Sequence, residues 1–83
     1  MDYYLFTASS ITKAQRMAQA LGQNGIRSSI QRLPVGLSTQ GCAYGVRIEP
    51  KWYERARSLV QSMGMGPGKI FRYGWQGYVE VAL

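Results

Sequence analysis

Residues 3–33 read YYLFTASSITKAQRMAQALGQNGIRSSIQRL, and within them the hydrophobic period changes twice. The opening YYLFTA is rich in aromatics and apolar on both alternating faces, which suits a strand in the middle of a sheet. Ser9 and Ser10 then offer hydroxyls to cap a helix, and Thr12 with Gln15 stands at capping-box spacing. Ile11, Ala14, Met17, Ala18 and Leu21 recur at helical intervals and predict one apolar stripe, with Lys13, Arg16 and Gln19 turned away from it. Asn24-Gly25 ends the helix, because glycine accepts the left-handed conformation of a C-terminal cap. From Ile26 the period returns to two. Ile26, Ser28 and Ile30 alternate with Arg27, Ser29 and Gln31, as in a half-buried strand at the edge of a sheet.

The rest of the chain repeats this theme. Residues 34–42, PVGLSTQGC, have no regular period and read as a loop. Tyr44, Val46 and Ile48 then share one face of a third strand. Glu49-Pro50 opens a second helix, since proline tolerates the first helical position. Trp52, Ala56, Leu59, Val60 and Met63 supply its buried face, Tyr53 stands at the margin, and Gly64 stops it. A turn at Gly66, Pro67 and Gly68 leads into a strand over residues 69–73. The tail GWQGYVEVAL alternates Tyr78, Glu80 and Ala82 with Val79, Val81 and Leu83, as an added strand would. The order predicts an α+β protein, a ferredoxin-like β-α-β-β-α-β sandwich with two helices on one antiparallel sheet and an extra C-terminal strand. We expect residues 1–83 to form a single domain, with residues 1–73 as the basic unit and 74–83 as its tail.

Composition narrows the chemistry. The 83 residues hold no histidine and four carboxylates, Asp2, Glu49, Glu54 and Glu80. A Ser-His-Asp triad, a Cys-His dyad and a His-based metal site therefore cannot be built from one chain. We expect no enzyme of those types, no metal and no resident cofactor. The single cysteine, Cys42, cannot form an internal disulfide. The start MDYYLFTASS lacks the basic and apolar regions of a signal peptide, and no run approaches the roughly 20 apolar residues of a membrane span. A cytoplasmic protein with no membrane partner is expected. Ten Lys and Arg give a net charge of +6, which attracts phosphates or acidic partners or simply keeps a small protein soluble.

Three features together carry a family resemblance: the Tyr-Tyr-Leu-Phe strand with its Ser-started helix, the helix end at Asn24-Gly25-Ile26, and a loop holding Pro34, Ser38, Thr39 and Cys42 ahead of Arg47-Ile48-Glu49-Pro50. Over about residues 3–73 this resembles a small bacterial family of Se/S carrier-like proteins. The resemblance implies that Cys42 holds sulfur or selenium as persulfide or selenide, received from and passed to partner proteins. Gly41, Ser38 and Thr39 would shape its loop. Arg32 and Lys69, read as lying at the same end of the sheet, would stabilise the anion. That end is also read as the one where both helices finish, with their partial negative charge. The plainer reading of Cys42 is a small, half-buried apolar residue at a strand start.

Arg27, Arg47 and Arg72 alternate with apolar strand positions, which predicts a row on the open face of the sheet. Such a row binds an oxyanion or an acidic partner, or is the solvated side of the sheet. The alternative function is accordingly a small basic module recognising an acidic protein or nucleic acid. Specific RNA recognition is not expected, because Cys42 and Val46 replace the basic and aromatic residues that such a sheet needs and Tyr44 faces the core. A tail strand with an exposed edge would invite homodimerisation.

Overall fold

The central strand β1, Tyr3–Ala8, lies between β3, Tyr44–Ile48, and β4, Ile70–Gly74. The computed structural model describes residues 2–34, 36–37, 43–64 and 68–81. β2, Ser28–Arg32, pairs outside β3, and β5, Gly77–Val81, pairs outside β4. The strand order is β2-β3-β1-β4-β5, antiparallel at every pairing. Helices α1, Ile11–Gln23, and α2, Tyr53–Ser62, cover one face, and a single 3-10 turn at Pro50–Trp52 leads into the second. This is the α+β sandwich expected from the sequence, with the tail as a fifth strand.

Local chemistry sets the helix limits. The Ser10 side chain accepts the Lys13 N–H at 3.2 Å, which satisfies one orphan donor of the first turn. Asn24 closes the helix by donating its Nδ2 to the Ala20 carbonyl, and Gly25 follows at φ +77°. On the helix side Phe6, Ala14, Met17, Leu21, Ile26, Val46, Ile48, Ala56, Val60 and Ile70 form the main core. Tyr53 is half-buried at the margin of this core, as expected, and its ring stacks on Tyr4 at 4.0 Å between centroids and meets Phe6 edge-on, anchoring α2 to β1. Two stripe residues are corrected. Ile11, the first residue of α1, is 41% exposed, and Met63, which caps the end of α2, is 49% exposed.

The face without helices is not a solvated one. Leu5 is fully buried there, and Phe71 and Leu33 nearly so, with Tyr3, Leu37 and Tyr78 packed around them. Gly45 makes this possible: a Cβ at that position would sit 2.7 Å from Leu5 Cδ1 and Cγ. Leu5 therefore lies across β3 and meets Leu33 as the chain leaves β2. Tyr78 covers the other side. Its hydroxyl bonds to that of Tyr3, and the Gln31 amide reaches it from β2. Tyr73 completes an aromatic group with Tyr3 and Tyr78.

Candidate functional site

Cys42, Ser38, Thr39 and Gly41 lie outside the described residues. The chain leaves β2 at Leu33 and returns at Ala43, where the Leu33 N–H donates to the Ala43 carbonyl at 3.0 Å. Ala8 pairs with Tyr44, so Ala43 enters β3 at the end of the sheet where β1 finishes. Ser10 begins α1 two residues later.

That placement corrects the expected electrostatics. β1 runs toward this end, so α1 starts here, and only α2 finishes here. The strand register forces this, because β3 is antiparallel to β1 and inserted between β1 and β2. A helix start carries partial positive charge and favours a nearby anion, so α1 offsets the negative end of α2 that was expected of both helices. Lys13 and Arg16 add cations to the same end, where they line a shallow hollow of about 310 Å³ with Met63 and Gly64. Sequence reading passed over these two residues as the solvated side of a helix. The direction of β1 within a split β-α-β unit was the signal that locates them.

Arg32 and Lys69 both stand at this end, as read, but they do not converge. Arg32 closes β2 opposite Tyr44, with its guanidinium 5.9 Å from that ring on the helix side. Lys69 precedes β4, three strand positions away, a separation of roughly 14 Å by sheet spacing. Its Nζ pairs with Glu80 at 3.7 Å. The backbone of Lys69 is fixed by Thr7, a buried hydroxyl that accepts the Lys69 N–H at 2.7 Å and donates to the Lys69 carbonyl at 3.0 Å.

The expected row of arginines on the open face is also corrected. Arg47 is opposite Leu5 and faces that side, with its guanidinium 4.1 Å over the Tyr3 ring. Arg27 precedes β2 with the same alternation as Ser29, the partner of Arg47. Arg72 is opposite Tyr4 and so points to the helix side, where it pairs with Asp2 at 3.8 Å. Within β4, Ile70 shares the helix side with Arg72, and Phe71 faces the other way. Because Phe71 fills the second core, both faces of β4 are apolar and its parity cannot be read from the sequence.

Among the described residues no group of His, Cys, Asp and Glu could hold a metal ion, and no helix is long and apolar enough to cross a membrane. No curated protein and no solved structure gives a significant match to the chain. A family model does match: residues 3–72 fit the family described as "Putative Se/S carrier protein-like", a span running from the first residue of β1 into β4. The chain is a member of that Se/S carrier-like family.

Proposed function

We propose that this protein carries sulfur or selenium on Cys42 and passes it between partner proteins in the cytoplasm. Family membership across residues 3–72 in a chain with one thiol is the observation that carries this reading. In the sulfur case, the Cys42 thiolate attacks the outer sulfur of a donor persulfide. A new S–S bond forms on Cys42, the donor S–S bond breaks, and the donor leaves as its thiolate. The sulfur is transferred at its own oxidation level, so no external oxidant or reductant is required. Delivery to an acceptor thiolate repeats the exchange with Cys42 as the leaving group.

The thiolate is the reactive form, and cations or a helix start nearby lower a thiol pKa. The end of the sheet at which Ala43 is held offers the start of α1 with Lys13, Arg16, Arg32 and Lys69, and this supports an anionic cargo. Arg32 and Lys69 are given the role of stabilising that anion, each from its own side. Ser38, Thr39 and Gly41 are given the role of shaping the loop. The test is mass spectrometry of protein incubated with polysulfide. The expected product is about 32 Da heavier, one sulfur atom, and is lost on reduction and absent in Cys42→Ser. Wild-type protein that gains no such adduct, with Cys42 still titratable by iodoacetamide, would refute the reading. Salt-sensitive binding of an acidic partner that Cys42→Ser leaves intact would instead favour the basic-module alternative.

A further inference from the structure

β5 is the outermost strand on its side of the sheet, and among the described residues none pairs with its far edge. Which backbone groups it turns outward follows from the register. The Thr7 N–H donates to the Lys69 carbonyl at 2.9 Å, so Lys69, Phe71 and Tyr73 direct their backbone groups at β1. Ile70, Arg72 and Gly74 therefore serve β5, and their partners Val81, Val79 and Gly77 turn inward. Tyr78 and Glu80 are left with N–H and carbonyl aimed at the open edge. A row of this kind is a template for a further strand.

The side chains fit this edge for pairing. Val79 lies on the helix side, opposite Arg72, yet remains 47% exposed, and Trp75 at the hairpin tip is 93% exposed. Both line a hollow of about 480 Å³ that also includes Tyr4, Arg72 and Val81. The strand contains neither proline nor lysine, residues that keep natural edges from pairing. Its one charge, Glu80, lies on the other face and pairs with Lys69 of the same chain at 3.7 Å. The edge at β2 differs, because its Ile30 already packs on the main core and pairing there would add little apolar contact. A second copy fits β5 without opposing like charges. In an antiparallel arrangement about Val79, Tyr78 of each copy meets Glu80 of the other as a hydrogen-bonded pair. Val79 then meets its own counterpart as the closer, non-bonded pair. Gly77, with no Cβ and open space around it, leaves room opposite Val81 of the second copy.

We propose that the outer edge of β5 is a self-pairing surface, through which two copies of this chain join into one continuous antiparallel sheet. The two-fold axis passes through Val79, so the two Ala43 ends lie at opposite ends of the joined sheet. The test is sedimentation equilibrium of full-length protein under reducing conditions. Concentrations of roughly 10 µM to 1 mM are needed, because a five-residue strand pair lies at the small end of specific interfaces. The mass is expected to rise from 9.3 kDa toward twice that value. Amide exchange followed by NMR reads the register directly. The Tyr78 and Glu80 amides are expected to slow as concentration rises, while that of Val79, already bonded to β4, is protected throughout. Val79→Lys sets two ammonium groups against each other at the axis and is expected to weaken association roughly tenfold, with the circular dichroism unchanged. A mass of 9.3 kDa at every concentration would overturn the proposal. So would a dimer whose Tyr78 and Glu80 amides exchange as in the monomer, or undiminished association of Val79→Lys. Cys42→Ser is expected to pair as the wild type does, whatever its fate as a carrier.

Discussion

Replacing Gly45 by alanine tests whether the helix-free face is a true second core. A Cβ there would lie 2.7 Å from both Leu5 Cγ and Cδ1 and 3.1 Å from Leu33 Cδ2. Leu5 is fully buried and Leu33 is 8% exposed, so neither can swing into open space. Overpacking of this kind costs about 1–3 kcal/mol. A side chain in place of glycine within a strand returns about 0.5–1 kcal/mol of backbone entropy. The net expectation is a loss of up to about 2.5 kcal/mol, out of roughly 4–12 kcal/mol for a domain of this length. At the middle of that range, about 1.2 kcal/mol, the fall in Tm by circular dichroism is about 5–10 °C. Leu5→Val removes one of the clashing carbons and costs stability by itself, but in the double variant it is expected to recover part of the Gly45→Ala loss. The two changes therefore couple favourably in a double-mutant cycle. A Gly45→Ala protein as stable as the wild type, or purely additive losses, would show that Leu5 is not confined between β3 and the loop entry.

Two further outcomes follow from polar groups. Thr7→Val leaves the Lys69 N–H without the hydroxyl that accepts it at 2.7 Å, at a cost of about 1–3 kcal/mol; urea denaturation should show the loss, and unaltered stability would mean that water replaces the hydroxyl. Burial first, and then the hydrogen bond that its hydroxyl donates to Tyr3, push the Tyr78 phenol from 10.0 up to about 12. Its raised folded value favours the protonated form, so this contribution to stability is complete below pH 10 and is lost as pH rises from 10 to 12. Tyr3→Phe is expected to bring the tyrosinate absorbance midpoint of Tyr78 down, and an unmoved midpoint would count against the Tyr3 contact.

Several elements were legible because a local rule decided them. The capping hydroxyl of Ser10, the stop at Asn24-Gly25 and the alternation of Tyr44, Val46 and Ile48 each depend on neighbours within a few residues. The parity of β4 was not legible. Ile70 and Phe71 are both buried, one in each core, so alternation gives no sign of which faces the helices. Arg72 was placed on the wrong face for that reason. The ring partners of Tyr53, Tyr4 and Phe6, were not legible because more than 40 residues of chain separate them from it.

The candidate site divides in the same way. Its thiol, its polar loop and its family were readable from residue identity and order, since those properties belong to the chain whatever its shape. Which helix ends stand at the start of β3 is a property of strand direction, and for α1 it came out opposite to expectation once the register of Ala8 with Tyr44 was known.

By itself, then, the sequence determined the succession of strands and helices and the lack of histidine-based chemistry, because period, caps and composition act locally or by count. Tertiary structure alone decided that a leucine crosses a glycine to build a second core, that α1 begins where the loop returns, and that Tyr78 and Glu80 turn their backbone groups to the open edge of β5. Each of these depends on antiparallel pairing between segments far apart in the chain, where a shift of one residue would exchange the two faces.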